Sequence, residues 1–253
     1  MDRETLLLLF QELRKRLIII AVVVFVFAVV SFSFSDEIRS VLLMPADMAY
    51  GGLDSEGRDM QLIFLTPSEA LLANIRLAFI TSATVTMPII LYQLVALAIA
   101  ITGVAKRSAF WLSLIMYVLF GLGLSFAYFV VLPFALNFFI GFSGPDLMPS
   151  FSIARYVSFT TAFIFSFGLV FQMPVVFWFL GSIGLLTTAF LKRNRKFALL
   201  IIVIFASVLT PPDIFSQILM AIPLMLLYEL GILMVYISWR KKKKQEMSDA
   251  STG

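Results

Sequence analysis

The stretch Leu230-Gly-Ile-Leu-Met-Val-Tyr-Ile-Ser-Trp239, followed at once by Arg240-Lys-Lys-Lys-Lys244, decides the class of fold. A long apolar run that ends in a block of cations is typical of a membrane-spanning helix whose end faces the cytoplasm. The rest of the chain agrees, because 61% of its residues are hydrophobic and only 13% are charged, against about 25% charged residues in soluble domains. The sequence therefore predicts an all-α polytopic membrane protein.

Six apolar segments are candidate membrane spans, since a helix needs about 20 apolar residues to cross hydrocarbon about 30 Å thick. They are residues 17–34, 75–101, 109–132, 156–183, 197–209 and 214–239. We interpret the first as a span and not as a cleaved signal peptide, because it is long and lacks a small-residue cleavage site. The fifth, bounded by Lys196 and Pro211, is too short to cross alone, which predicts local thinning of the bilayer or burial within protein.

Basic residues predict the orientation, because Lys and Arg concentrate in cytoplasmic connections. With six spans, most of the 19 Lys and Arg fall on one side: Arg3, Arg14, Lys15, Arg16, Lys106, Arg107, Lys192, Arg193, Arg195, Lys196 and residues 240–244. The other face keeps only Arg39, Arg58, Arg76 and Arg155. Both termini are therefore expected on the cytoplasmic side.

A single transmembrane domain is predicted over residues 1–239. Within it we expect an amphipathic cytoplasmic arm at residues 1–16 and an outer cap loop at residues 35–66; a basic, disordered cytoplasmic tail follows at 240–253. Apolar side chains share one face of the arm at helical spacing: Leu6, Leu9, Phe10, Leu13 and Leu17. The net charge of +4 lies beside apolar spans, so the expected charged partner is anionic lipid and not nucleic acid.

The absence of His and Cys from the chain excludes several functions. Cys/His zinc sites, thiol nucleophiles, Ser-His-Asp triads and disulfides all need one of these residues. No Gly-rich phosphate motif and no nucleophile–base or metal constellation is visible. We therefore predict a protein that is not an enzyme and uses no cofactor and no metal.

Two short motifs predict helix boundaries. Thr66-Pro67-Ser68-Glu69 is typical of a helix start, because Pro suits the first helical position and Glu69 can complete a capping box. The helix that follows should cover residues 67–101 and bend at Pro88. Thr210-Pro211-Pro212-Asp213 ends the fifth helix and caps the sixth. This turn is either an ordinary connector, which its residue types favour, or a hairpin in a thinned membrane.

Few polar groups occur within the spans: Glu229, Gln172 and, near a cytoplasmic end, Gln93. Such groups are candidates for function by default. For Glu229 the alternatives are a functional carboxyl and one bonded to a neighbouring helix or placed at the interface. Gln172 is more typical of contacts between packed helices.

An ordered set of motifs resembles the TatC family, the multi-spanning subunit of the twin-arginine protein translocase. The resemblance covers nearly the whole chain. Its motifs are Glu12-Leu-Arg-Lys-Arg16, Pro45, Thr66-Pro-Ser-Glu69, Pro88-Ile-Ile-Leu-Tyr-Gln93, Phe126-Ala-Tyr-Phe129 with Pro133, Tyr156-Val-Ser-Phe159, Phe167-Gly168 with Pro174, Leu209-Thr-Pro-Pro-Asp-Ile-Phe-Ser-Gln217, Ala221-Ile-Pro223 and Tyr228-Glu-Leu-Gly231.

The resemblance implies a concave, glove-like bundle with short fifth and sixth helices in a prokaryotic inner membrane. It also implies transport of folded proteins, driven by the proton gradient without ATP. The implied partners are twin-arginine signal peptides, single-span TatA/TatB-type subunits and further copies of the chain in a receptor complex.

The same resemblance implies three groups of site residues. Signal-peptide binding falls on Glu12, Arg14, Arg16, Lys106 and Arg107, with Glu12 holding the polar part of the signal near the first cytoplasmic loop. Gln172 and Glu229 would contact the apolar part of the signal or a polar residue of a partner. The outer cap would be organised by Pro45, Pro67, Glu69, Thr210, Pro211, Pro212 and Asp213.

Three positions depart from the family pattern. Leu9 stands where a His is usual, Lys106 where the first cytoplasmic loop usually has a Glu that helps bind the arginines of the signal, and Gln172 where the fourth helix usually has a buried Glu. An ammonium has the wrong sign to pair with a guanidinium. Glu12 thus remains the candidate acceptor, and altered or weakened arginine selectivity is expected.

Two other functions stay open on the sequence. A divergent TatC-like paralogue could act as an assembly scaffold. A secondary transporter of small solutes should show inverted repeats and broken helices near the midplane, and we find no convincing repeat between the two halves.

Overall fold

The computed structural model describes residues 3–51, 62–63, 66–102, 107–141, 151–209 and 214–252. Its helices are α1 (Arg3–Ser33), α2 (Ser35–Gly51), α3 (Pro67–Val85), α4 (Met87–Thr102), α5 (Arg107–Phe126), α6 (Leu132–Gly141), α7 (Ile153–Val170), α8 (Met173–Ser182), α9 (Thr188–Arg193), α10 (Arg195–Leu209) and α11 (Ile214–Thr252), with a π-helical segment at Ala127–Val131 between α5 and α6. Two strands of two residues, β1 (Leu62–Ile63) and β2 (Phe151–Ser152), pair in parallel. The all-α membrane fold is confirmed.

Within the described residues, four helical stretches and one bent helix pair are long and apolar enough to cross a membrane. They are Phe10–Ser33, Ser68–Val85 with Met87–Ala98, Ala109–Phe139, Ile153–Ser182 and Gln217–Arg240. The remaining predicted span corresponds to α10, whose 15 residues make a helix about 22 Å long. It is short, as the sequence predicts, and the count of six spans stays a prediction.

Three regions of the chain are more continuously helical than the sequence analysis indicates. The amphipathic arm and the first span form one helix, α1. The expected cap loop at 35–66 begins with α2, whose first turn carries Asp36 and Glu37, as suits a helix N-terminus. The structure also extends α11 through the basic run to Thr252, where a disordered tail was expected.

The packing of the helices defines two compact units, Met1–Phe165 and Ser166–Gly253, and the single domain stays a prediction. In the first unit, α1 packs against both α3 and α4, α4 packs against α5, and α2 packs against α6. In the second unit, α11 packs against α8, α9 and α10.

The helix predicted over residues 67–101 is broken at Thr86 into α3 and α4, which meet at 56°. Pro88 causes the break, because its ring cannot continue the preceding helix. The buried hydroxyls of Ser82 and Thr86 bond backbone carbonyls here: Ser82 donates to Val24 of α1 at 2.5 Å and Thr86 donates to Ser82 at 2.7 Å. The predicted bend is confirmed, and a side-chain bond fastens it to α1.

Pro45 lies inside α2 with its side chain fully buried. Since proline has no N–H, the carbonyl of Val41, four residues earlier, loses its helical donor. The Tyr128 hydroxyl donates to that carbonyl, and the Tyr156 hydroxyl donates to the adjacent carbonyl, that of Leu42, at 2.9 Å. The hydroxyls of two tyrosines from distant parts of the chain therefore bond carbonyls of α2 next to its proline.

Tyr128 itself lies in the π-helical segment. The segment precedes Pro133, which has no N–H to bond the carbonyl of Phe129 and whose ring crowds that carbonyl. The N–H of Leu132 instead reaches the carbonyl of Ala127, five residues back, which is the π-helical pattern. Pro133 thus accounts for the extra residue in this turn of the helix.

Glycines let α8 and α11 approach closely in the second unit. A Cβ at Gly231 would stand 2.4 Å from Cδ2 of Phe177, and a Cβ at Gly181 would stand 3.1 Å from Cγ1 of Val235. Small residues at helix contacts are typical of membrane proteins, where close van der Waals packing supplies much of the attraction. The ring of Phe177 also meets Tyr228 edge to face at 5.7 Å.

We predict that Tyr128→Phe destabilises the protein by about 1 kcal/mol, because the carbonyl of Val41 loses its donor. In a Pro45→Ala background the same change should cost much less, since an alanine at this position supplies the missing N–H. Thermal unfolding in detergent measures both effects. Tyr117→Phe is the matched control, because Tyr117 is exposed on α5 and its hydroxyl has no partner in the described residues. An equal cost of Tyr128→Phe in both backgrounds would contradict this account.

We also predict that Gly231→Ala destabilises the protein by roughly 1 to 3 kcal/mol, the usual cost of overpacking. Gly121→Ala is its control, because a Cβ at Gly121 meets nothing within 4 Å. That control should be neutral or stabilising by up to about 1 kcal/mol, through helix propensity. Equal unfolding midpoints for the two variants would show that the α8–α11 contact tolerates the methyl group.

Candidate functional site

Glu12, Arg16 and Gln93 form a polar cluster between α1 and α4. Nη2 of Arg16 donates to Oε1 of Glu12 at 2.5 Å, and Nη1 of Arg16 donates to Oε1 of Gln93 at 2.8 Å. The side chain of Arg16 is 18% exposed and that of Glu12 is 41% exposed. The structure thus brings together three residues that the sequence marked separately.

Local helix geometry explains the Glu12–Arg16 pair. Residues four apart lie on one face of a helix, and a glutamate placed before a cation is the favourable order. Gln93 joins the pair only because α1 also packs against α4. Nε of Arg16 is buried and has no hydrogen-bond partner in the described structure, so the guanidinium uses two of its donors at most toward these partners.

The predicted basic residues of the site are not all gathered here. Arg14 lines a shallow groove along the surface of α1 with Phe10, Leu13 and Leu17. Phe10 is 71% exposed, so this face of the arm is strongly apolar and carries one cation. Lys106 lies outside the described residues, and Arg107 is the first residue of α5.

Glu229 has an internal partner. Nη2 of Arg195, on α10, donates to Oε2 of Glu229, on α11, at 2.6 Å. The side chains are 47% and 38% exposed, so solvent or headgroups can reach the pair. Of the two alternatives for Glu229, the structure favours a carboxyl bonded to a neighbouring helix.

Further bonds fasten the same region to α11. The Tyr228 hydroxyl donates to the carbonyl of Leu191 at 2.9 Å, and Nε1 of Trp239 donates to the carbonyl of Leu186 at 3.0 Å. Leu191 lies within α9 and Leu186 lies just before it, and the N-cap of α9, Thr187, accepts from the N–H of Phe190 at 3.1 Å. The connection between α8 and α10 is therefore held at two points.

Gln172 lies at the break between α7 and α8, as the N-cap residue of α8. It is 6% exposed, and its side-chain amide donates to the carbonyl of Gly168 at 3.3 Å. Pro174, two residues later, accounts for the break. The expectation that Gln172 contacts a signal peptide has no support from this buried position, which fits a role in the second unit.

The predicted cap residues are partly visible. Pro67 opens α3, and Oε2 of Glu69 accepts the N–H of Thr66 at 3.4 Å, as a capping box requires. The Ser152 hydroxyl donates to the other oxygen of Glu69, beside the pairing of Leu62 with Phe151. Thr210, Pro211, Pro212 and Asp213 lie outside the described residues.

Sequence reasoning missed two residues that matter here. Arg195 was counted only as a marker of orientation, and nothing in its spacing indicates Glu229 as its partner. Tyr128 was noted only as part of a motif. Counting back four residues from Pro45 identifies a carbonyl without a donor, and this signal could have prompted a search for a hydroxyl.

Comparisons with known proteins agree on the family. The profile of TatC, Sec-independent protein translocase protein, matches residues 9–223. The Sec-independent protein translocase protein TatC of Desulforapulum autotrophicum is 34% identical over 236 residues, which are 93% of this chain and 85% of that protein. The protein of the same description from Aquifex aeolicus is 34% identical over 237 residues, 92% and 95% of the two chains.

A solved structure gives the same result in three dimensions. The crystal structure of the twin arginine translocase receptor TatC matches with a TM-score of 0.82 at 33% identity, covering 91% of this chain and 99% of that one. A second structure of that receptor, in DDM, matches with a TM-score of 0.80. By sequence and by structure, this chain belongs to the TatC family of Sec-independent protein translocase proteins.

Proposed function

We propose that this chain is the receptor subunit of a twin-arginine translocase and binds twin-arginine signal peptides through Glu12. The observation that carries the proposal is the contact of Glu12 with a guanidinium at 2.5 Å. That guanidinium belongs to Arg16, and its position supports Glu12 as an acceptor for an arginine side chain. The likeness of the chain to a twin arginine translocase receptor of known structure supports the same assignment.

The proposal includes the setting of the receptor. Both termini and the Glu12 cluster face the cytoplasm of a prokaryotic cell, where a signal peptide first meets the membrane. Single-span TatA/TatB-type subunits and further copies of the chain complete the complex, anionic lipids surround it, and the proton gradient drives transport of folded cargo. The distribution of Lys and Arg along the chain supports this orientation.

Arg16 acts in this proposal as an internal competitor for Glu12. An arginine of the signal peptide would bind the carboxylate of Glu12 in place of Arg16, while Arg16 keeps its bond to Gln93. The exchange is feasible because the existing pair is partly exposed, and such pairs contribute only about 0.2 to 1 kcal/mol. The positive charges of Arg14, Lys15 and Lys106 oppose a cationic peptide, which supports altered arginine selectivity.

A first prediction tests the acceptor. Glu12→Gln should weaken binding of a labelled twin-arginine peptide by about tenfold or more, since it removes a charge-assisted bond.

Lys106→Glu should strengthen binding, because it replaces a repelling charge with an attracting one. Lys106→Gln removes the repulsion without adding an attraction. Its affinity for the peptide should therefore lie between those of the unchanged protein and Lys106→Glu. Fluorescence anisotropy on the purified protein measures all four affinities. Unchanged or weaker binding by Lys106→Glu would contradict the proposed role of this position.

A second prediction tests the competition. Arg16→Gln should tighten binding of the twin-arginine peptide by about two- to fivefold, the equivalent of a partly exposed ion pair. Lys15→Gln is the matched control, because it removes the same charge from an exposed neighbour outside the cluster. The gain in affinity from Arg16→Gln beyond the gain from Lys15→Gln measures how strongly Arg16 competes for Glu12. If the two variants bind equally, Arg16 does not compete for Glu12.

A transporter of small solutes is the second candidate, because the chain has a helix broken within a span at Thr86, and such breaks also occur in transporters. The break at Thr86 has a proline cause, Pro88, and the hydroxyls beside it bond carbonyls of the chain itself. A scaffold role is the alternative that Leu9, Lys106 and Gln172 favour. Specific binding of a twin-arginine peptide would exclude both, whereas its absence in all variants would leave the scaffold as the better account.

A further inference from the structure

Arg76, in the middle of α3, and Arg155, in the first turn of α7, both lie beside Ser158. Nη1 of Arg76, on α3, donates to the hydroxyl of Ser158, on α7. Arg155 lies three residues before Ser158, so the two share one face of α7. Both arginines are exposed. They belong to the small group of cations that the sequence assigns to the face opposite the cytoplasm.

The two helices start at the same level. The Ser152 hydroxyl, just before α7, bonds Glu69 in the first turn of α3, and β1 pairs with β2 beside them. Arg76 follows the start of α3 by nine residues, about 13 Å, and Ser158 follows the start of α7 by five, about 8 Å. Since side chains on a helix point toward its N-terminus, the guanidinium of Arg76 lies near the level of Ser158.

This level lies near the starts of two candidate membrane spans, Ser68–Val85 and Ile153–Ser182. Arg155 lies in the first turn of its span, and Arg76, two turns into its span, extends its side chain back toward the start. A guanidinium near a span is costly unless it reaches the interface or an anion. An anionic group at the interface would therefore stabilise these charges.

No acidic side chain supplies that partner within the described part of the chain. Arg39, a third cation at this end, pairs with Asp36 at 2.5 Å and also bonds Asn74. Arg76 and Arg155 form no ion pair with any described carboxylate, and Arg155 forms no side-chain hydrogen bond there. Two guanidiniums and one hydroxyl thus offer donors to an anion from outside.

The neighbouring side chains indicate a lipid. Leu72 and Phe79 lie four residues before and three residues after Arg76, on the same face of α3, and they are 62% and 48% exposed. Phe79 lies on the membrane side of Arg76, so an anion on Arg76 that carries apolar chains would lay them on Phe79, with Leu72 beside the headgroup. A free inorganic anion would gain nothing from them.

We propose that Arg76, Arg155 and Ser158 bind the headgroup phosphate of an anionic phospholipid in the leaflet at this end of the molecule. The planar guanidiniums can each hold two phosphate oxygens, and the hydroxyl of Ser158 can donate a further bond. The acyl chains run along Phe79 toward the interior of the membrane. The site holds a lipid beside the first halves of α3 and α7. It is separate from the proposed signal-peptide site at Glu12.

Native mass spectrometry of the purified protein tests the site, with phosphatidylglycerol as the probe. Arg155→Gln should weaken retention of this lipid by about tenfold, the equivalent of about 1.4 kcal/mol, and Arg76→Gln/Arg155→Gln should weaken it further. The double change Lys242→Gln/Lys243→Gln removes the same charge from the C-terminal run, where anionic lipid can also bind, so the loss in the Arg76→Gln/Arg155→Gln variant should clearly exceed the loss in this control. Arg155 has an exposed side chain without described contacts, so its variant should fold normally.

Two further probes identify the source of the phosphate. Diacylglycerol with the same chains lacks the phosphate and should not be retained, and inorganic phosphate at equal concentration should not displace the lipid. Undiminished retention of phosphatidylglycerol by the Arg155 variant, retention of diacylglycerol, or displacement by inorganic phosphate would each overturn the proposal. Binding of a twin-arginine peptide should be unaffected by Arg155→Gln, which separates this test from that of the receptor function.

Discussion

Every backbone N–H and C=O inside hydrocarbon must be paired, because no water is there to replace a missing partner. Prolines remove backbone donors in several helices of the chain, and at Pro45 a side chain replaces the lost donor, because the Tyr128 hydroxyl bonds the carbonyl of Val41. The hydroxyls of Ser82 and Thr86 add bonds at the bend before Pro88, and a π-helical turn precedes Pro133. The breaks are therefore fixed features of the fold.

The bend at Thr86 also positions the candidate site. Because α3 and α4 diverge there by 56°, the single helix α1 can pack against both. The carbonyl of Val24 on α1 meets Ser82 on one side of the bend, and Arg16, about two turns earlier, meets Gln93 on the other. A straight helix over residues 67–101 would not give α1 the same two contacts. Glu12 is thus held where it is through Arg16, Gln93 and a bend that one proline causes.

Local features were predictable from the sequence, and features that need two distant elements were not. The start at Thr66-Pro67, the bend near Pro88 and the shortness of α10 follow from residues next to them in the chain. The pairing of Arg16 with Gln93, of Glu229 with Arg195 and of Tyr128 with Val41 depends on which helices pack together, and periodicity does not specify that. The amphipathic arm at residues 1–16 leads into the first span as one helix, since no Pro or Gly interrupts the sequence between them.

The central claim is that Glu12 receives an arginine of the signal peptide although Arg16 already pairs with it. Site-specific photocrosslinking from position 11, the exposed neighbour of an unchanged Glu12, tests this claim most directly in native membranes, with a twin-arginine signal peptide and a twin-lysine peptide of otherwise identical sequence. The account predicts crosslinks to the twin-arginine peptide alone, because a planar guanidinium fits a carboxylate in a way that an ammonium does not. Equal crosslinking to both peptides, or none to either, would contradict it and leave a TatC fold without that receptor function.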